Sequence, residues 1–135
     1  MSRLRHKTER SVDMRGEEKG FRHAARAMGA TLDGLAACFR REAAFRQECF
    51  FGVVNAVLAV VVPRTWAESA VLIAVHFLLP ITELLNSAIE ETVDLVTEEW
   101  NEKAKRAKDY ASAAIFLSIV LICAAWAAVL LRRFL

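Results

Sequence analysis

From Ala111 to Leu131 the chain runs for 21 residues without a charge and then meets Arg132-Arg133. As an α-helix this run rises about 32 Å, enough to cross a hydrocarbon core of about 30 Å. Tyr110 and Trp126 stand toward its ends, where amphipathic rings favour the membrane interface. One membrane-crossing helix is thereby set, and the rest of the chain must be arranged around it.

Two further spans are predicted. One covers 69–89: its first half (AVLIAVHFLLPI) is apolar, and its second half carries Glu83 and Asn86. The other covers 43–62 and stops at Pro63. Its apolar part, Cys49 to Val62, is too short alone; extension back through Ala43-Ala44-Phe45 gives about 20 residues. That extension takes in Arg46 and Glu48, which can snorkel if they lie near the interface. Hydrophobic residues make up 56% of the chain, above the roughly 45–50% of soluble domains. The charged fraction is nevertheless an ordinary 25%, so apolar and charged stretches are segregated.

The distribution of basic residues orients the spans. Eleven Lys or Arg stand at or before the start of the first span, from Arg3 to Arg46. Four more, Lys103, Lys105, Arg106 and Lys108, lie between the second and third spans. Placing the N-terminus inside puts fifteen basic residues inside and three (Arg64, Arg132, Arg133) outside. The 90–108 segment is then cytoplasmic, on the side where ATP is. A net charge of +2 gives no reason to expect a nucleic-acid partner.

Residues 1–20 are too charged to hold the h-region of a cleaved leader and are expected to form a disordered cytoplasmic tail. Residues 21–41 predict an amphipathic helix: Phe21, Ala24, Ala25, Met28, Leu32, Leu35 and Phe39 recur at helical spacing among Arg22, Arg26, Asp33 and Arg40. Such a helix before a span lies on the membrane surface or packs on the ends of the bundle. Gly29 and Gly34 weaken it. The three cysteines, Cys38, Cys49 and Cys123, show no CxxC spacing, so small hydrophobes are expected rather than a disulfide framework or a zinc site.

Carboxylates occur where lipid should exclude them. At about 100° per residue, Glu83, Asn86, Ser87, Glu90 and Asp94 fall on one narrow helical face, opposite Leu84, Leu85, Ala88 and Ile89. Glu83 follows a long apolar run and sits at the bilayer boundary, where an ionisable group costs several kcal/mol unless paired. It is therefore a candidate general base. Pro80, one turn earlier, withholds a backbone donor and can open a notch in the helix. Glu42, Arg46, Gln47 and Glu48 form a second polar set, in which Glu42 and Arg46 have the spacing of an ordinary i,i+4 ion pair. The third set, Glu98, Glu99, Glu102, Lys105, Arg106, Lys108 and Asp109, reads as a solvated helical loop, with Lys108 and Asp109 against the mouth of the last span. Phosphoryl transfer needs a metal, a cation for the phosphates and a base to orient the acceptor hydroxyl. Glu42, Glu90, Lys108 and Glu83 have the chemistry for these parts, since hard cations such as magnesium take carboxylate oxygens. No GxxxxGK[ST] phosphate loop is present.

Three motifs carry a family resemblance. Glu83-Leu84-Leu85-Asn86-Ser87-Ala88-Ile89-Glu90-Glu91-Thr92-Val93-Asp94 resembles the E-x-x-N-S-A-I-E-x-x-V-D signature of prokaryotic diacylglycerol kinases. Glu42-Ala43-Ala44-Phe45-Arg46-Gln47-Glu48 is similar to the family's E-A-A-F-R-Q-E run at its first span. Arg106-Ala107-Lys108-Asp109 followed by Ser112-Ala113-Ala114 is similar to its R-A-K-D-x-x-S-A-A run.

The resemblance implies an all-α membrane protein: an amphipathic surface helix plus three transmembrane helices, with residues 21–135 forming one kinase domain in a bacterial cytoplasmic membrane. It implies a homotrimer with sites shared between subunits, and transfer of the ATP γ-phosphate to diacylglycerol to give phosphatidic acid. By the same resemblance Glu83 is the base, Glu42 and Glu90 hold magnesium, and Lys108 contacts the phosphates, with Asp109 and Glu99 nearby. Asn86 orders the catalytic face, and Ser112 with Ala44, Phe45, Arg46, Gln47 and Glu48 faces the lipid. The nucleotide contacts depart from the family pattern: His23 stands for an arginine, Ala30 for an aromatic, Asn101 for a histidine and Ala111 for a glycine. Two alternatives share these features: an undecaprenol kinase of the same fold, and a small proton-coupled transporter built on an intramembrane glutamate. The transporter fits less well, because its glutamate belongs at mid-bilayer within repeat symmetry, and no repeat is visible here.

Overall fold

The computed structural model describes the side chains of residues 22–97 and 99–135, and the tail expected over 1–20 falls outside them. Four helices follow one another: α1 (Ser2–Arg41), α2 (Ala43–Val61), α3 (Trp66–Val96) and α4 (Glu102–Phe134). They divide into two compact units, Met1–Ala37 and Cys38–Leu135.

In the first unit α1 continues unbroken through Gly29 and Gly34, around which nothing else approaches. Met28, Leu32 and Leu35 are exposed there, as an amphipathic helix without a partner inside its own unit must leave them.

The second unit is a three-helix hairpin stack in which α3 packs on both α2 and α4. At one end the turn between α2 and α3 is closed by a capping box: the Thr65 hydroxyl accepts from the Glu68 amide, and Glu68 Oε2 accepts from the Thr65 amide. Two orphan donors of the helix start are thus satisfied reciprocally. Glu68 also pairs with Arg132 at 3.0 Å, and the Arg64 guanidinium donates to the Arg133 carbonyl at 2.6 Å. These contacts bring the C-terminal ends of α2 and α4 to the start of α3, so α3 runs antiparallel to both.

One turn inward, Ala59, Leu72 and Val129 form the buried core, with Ile73, Ala125 and Trp126 packed against it. Beside it lies a polar knot. Trp126 Nε1 donates to Asn55 Oδ1 at 2.8 Å, and Asn55 Nδ2 donates to the Leu72 carbonyl at 3.3 Å. Trp126 is therefore an interhelical bolt rather than the interfacial anchor expected from its position near the end of the run. Farther along, the Thr82 and Ser118 hydroxyls meet at 3.3 Å, a second small-polar link between α3 and α4. Replacing Trp126 by Phe is expected to cost about 0.6–1.7 kcal/mol, the range for interhelical hydrogen bonds in membranes. Equilibrium unfolding in mixed detergent micelles measures it; a variant as stable as the parent would remove the bolt from the account.

Most of the remaining apolar surface faces outward, including Phe50, Phe51, Val60, Val61, Phe116 and Leu117. All three helices of this unit are long and apolar enough to cross a membrane. The predicted spans 69–89 and 111–131 fall within α3 and α4, and the span 43–62 coincides with α2 except that Val62 is its C-cap. α3 and α4 are longer than their spans, at 31 and 33 residues. A rise of about 46–50 Å exceeds the hydrocarbon thickness by several turns. The segment 90–108 is thus mostly the end of α3 and the start of α4 rather than a separate loop. Pro80 lies inside α3 without ending it; Thr82 Oγ1 donates to the nearby Leu78 and Leu79 carbonyls at 2.9 Å.

Candidate active site

The polar face of α3 forms where the helix passes the junction of α1 and α2. Glu83 is only 5% exposed and Asn86 8% exposed, although the surrounding helix surface is largely apolar and open. Asn86 Nδ2 donates to Glu90 Oε1 at 3.1 Å, which orients the Glu90 carboxylate one turn above. Asn86 Oδ1 is buried without a partner among the described residues. Ser87 shares this face and hydrogen-bonds Cys38 in the last turn of α1.

Glu42 occupies a single-residue break between α1 and α2, with extended backbone at φ −96° and ψ 117°. The break is stabilised by Arg46, whose Nη1 donates to the carbonyls of Phe39 and Arg40 at 3.1 and 3.2 Å. These are end-of-helix carbonyls that would otherwise lack partners. Arg46 thus braces the α1–α2 corner instead of forming the i,i+4 pair with Glu42. Phe45 and Glu48 turn inward from the first turns of α2 and are buried, while Ala44 and Gln47 face outward. Glu48 and Glu42 both lie within electrostatic reach of Glu83. Four carboxylates, Glu42, Glu48, Glu83 and Glu90, therefore share one neighbourhood.

Among the described residues no three His, Cys, Asp or Glu side chains converge into a metal cage. The arrangement suits an ion that needs only one or two protein carboxylates and completes its shell with phosphate oxygens and water, the habit of magnesium. Glu90, held by Asn86, and Glu42, at the α1–α2 corner, are carboxylates that could do this.

Cys38 reports on this corner. Burial pushes its thiol above the ordinary value, the hydrogen bond with Ser87 works the other way, and the nearby Glu42, Glu83 and Glu48 add to the upward push. In a variant with Cys49 and Cys123 replaced by Ser, maleimide labelling of Cys38 is expected to need a higher pH than labelling of glutathione, because less thiolate is present at each pH. Coincident pH–rate curves would show that the thiol is not buried among carboxylates.

Beyond the acidic face, the start of α4 supplies the basic groups and the end of α3 supplies carboxylates. Lys108 Nζ donates to Asp94 Oδ1 at 2.6 Å and ties the two helices together. Asp109 is paired with Lys105 at 2.6 Å and Arg106 with Glu102 at 3.4 Å. Arg41 pairs with Glu91 at 3.1 Å on the outer side. Asn101 caps α4, its Oδ1 accepting from the Lys103 and Ala104 amides at 2.9 and 3.3 Å. Glu99 is exposed in the break, next to Thr97. Ala111 is buried against α3, where its small side chain lets the helices approach, and Ser112 faces outward. His23 and Ala30 stand exposed on α1 in the other unit.

The second unit therefore brings together Glu42, Glu48, Glu83, Asn86 and Glu90, with Lys108 attached through Asp94. Two participants lay outside the expected set. Asp94 was visible on the helical face, but its pairing with Lys108 depends on how α4 docks. Cys38 looked like a generic small hydrophobe.

The family pattern described as prokaryotic diacylglycerol kinase matches residues 29–130. The chain is 44% identical over 114 residues to the diacylglycerol kinase of Pseudomonas aeruginosa, covering 84% of this chain and 93% of that one. It is 39% identical over 126 residues to the Escherichia coli K12 diacylglycerol kinase, covering 90% and 99% of the two chains. The Helicobacter pylori 26695 diacylglycerol kinase is 36% identical over 117 residues, covering 87% and 91%.

Proposed function

The chain belongs to the prokaryotic diacylglycerol kinase family of membrane lipid kinases, and from that premise we propose that it transfers the γ-phosphate of ATP to the free hydroxyl of diacylglycerol, giving phosphatidic acid. The observation that carries this reading is the buried acidic face of α3, with Glu83 and Asn86 nearly inaccessible at the level where the helix leaves its apolar run. A carboxylate so placed can take the proton of a lipid hydroxyl without leaving the membrane surface.

In the proposed mechanism Glu83 accepts the hydroxyl proton as the oxygen attacks the γ-phosphorus, and the bond from that phosphorus to the β,γ-bridging oxygen breaks to release ADP. Glu42 and Glu90 hold magnesium, with Asn86 fixing the Glu90 carboxylate through its 3.1 Å hydrogen bond. When bound, the ion neutralises phosphate charge that four neighbouring carboxylates would otherwise repel. Lys108 leaves or shares Asp94 to contact the phosphates, while Asp109 of α4 and Glu99 and Asn101 of the α3–α4 break border the nucleotide. On the family resemblance alone, His23 and Ala30 are further proposed nucleotide contacts. Glu48 and Ser112, with the first turn of α2 from Ala44 to Gln47, line the lipid side. The proposed setting is a bacterial inner membrane with the N-terminus cytoplasmic, supported by fifteen basic residues on that side against three. A homotrimer with shared sites is part of the proposal and rests on the family resemblance alone.

The test is phosphate transfer from labelled ATP in detergent–lipid mixed micelles, with diacylglycerol and undecaprenol offered separately. Label on diacylglycerol supports the reading; label on undecaprenol alone changes the acceptor; no transfer to either refutes it. In the same assay Glu90→Gln is expected to raise the magnesium concentration for half-maximal rate by at least about ten-fold. An unchanged titration would count against its ligand role.

A further inference from the structure

Below the acidic face, α2 and α3 make a close approach at Gly52 and His76. A Cβ on residue 52 would stand 2.9 Å from His76 Nε2, so the ring keeps its place only because that position is glycine. Nε2 is buried and has no hydrogen-bond partner among the described residues, and Glu48 Oε2, one turn up α2, is in the same condition. Both side chains line one partly open cavity of about 360 Å³, which Phe77 and Pro80 also border. An imidazole always presents at least one N–H donor, and within lipid there is no bulk water to satisfy it. The cavity therefore holds two polar atoms that the helices themselves leave unsatisfied, the His76 ring nitrogen and Glu48 Oε2.

His76 and Glu83 are seven residues apart on α3. That spacing puts them on the same face, separated by about 10 Å along the helix axis. A diacylglycerol carries ester carbonyls a few bonds from its free hydroxyl, a separation that lets one molecule reach both residues. We propose that His76 donates a hydrogen bond to an ester carbonyl of the acceptor lipid while the hydroxyl lies at Glu83, with Gly52 as the positioning residue that leaves the ring its room. His76 is then a specificity determinant: it favours acylglycerols and gains nothing from a polyprenol or an ether lipid, neither of which has a carbonyl to offer. This inference rests on the lipid-kinase reading above.

The experiment compares the full chain with His76→Leu, His76→Gln and Gly52→Ala in mixed micelles, using a diacylglycerol and the dialkyl ether glycerol of matched chain length. His76→Leu is expected to raise KM for the diester about five- to ten-fold with little change in kcat, the loss of one hydrogen bond. It leaves KM for the ether lipid unchanged. His76→Gln, which keeps a donor, restores most of the diester KM, and Gly52→Ala reproduces the His76→Leu pattern by displacing the ring. Should His76→Leu fail to elute as a folded species, the Gly52→Ala comparison decides alone. Equal effects on both lipids, or no effect on the diester, overturn the assignment while wild-type turnover of diacylglycerol keeps the kinase reading. A wild-type chain that phosphorylates no acylglycerol overturns both.

Discussion

Replacing Glu83 by Gln is expected to lower kcat by about 10²–10⁴-fold, the usual worth of a positioned general base, with the KM values for ATP and lipid nearly unchanged. Glutamine keeps the size of the side chain and can still hydrogen-bond the hydroxyl, so substrate binding survives while the proton has nowhere to go. The position makes the effect large. Glu83 is 5% exposed, so bulk water has little access to replace it as proton acceptor. The elution volume of the solubilised protein serves as the folding control. Near-normal kcat in a properly folded variant would remove Glu83 from the chemistry and move attention to Glu48, the other buried carboxylate of the site.

The second large effect is expected at Lys108. Its replacement by Met is expected to reduce kcat/KM for ATP about 10²–10³-fold, the range for losing one preorganised group that stabilises transition-state charge. The structure adds a finer expectation. Asp94 holds the Lys108 ammonium at 2.6 Å across the α3–α4 gap, so Asp94→Asn should lower activity less than Lys108→Met. In the Lys108→Met background Asp94→Asn should then cost almost nothing more, because residues that act through one another are not additive. Steady-state kinetics of the two single variants and the double variant measure this coupling. Full additivity would show that Asp94 acts independently of Lys108, and an active Lys108→Met variant would take the lysine out of phosphate binding.

Much of this was legible in the chain. The charge-free run from Ala111 to Leu131 and the stop at Pro63 mark spans that reappear within α2 and α4. The 3.6-residue period puts Glu83, Asn86 and Glu90 on one face, and Asn86 does bond Glu90 there. These are local features, set by hydropathy and by the geometry of a single helix, so the order of residues suffices to read them. What the period cannot contain is which helix faces which. Glu42 and Arg46 have ideal spacing for an ion pair, yet Arg46 turns back to Phe39 and Arg40, because the break at Glu42 leaves carbonyls that need donors more than the carboxylate does. Trp126 has the position of an interfacial anchor, yet its indole is spent on Asn55, since a buried amide on a neighbouring helix competes with the headgroup region for its N–H. Lys108 meets Asp94, and His76 meets Gly52, only through docking of separate helices. By itself the sequence determined the helices, their membrane character and the composition of the acidic face. The tertiary structure alone decided the partners of Arg46, Trp126, Lys108 and His76, because pairings across helices follow from packing and from the need to satisfy buried polar groups, which no spacing along one chain encodes.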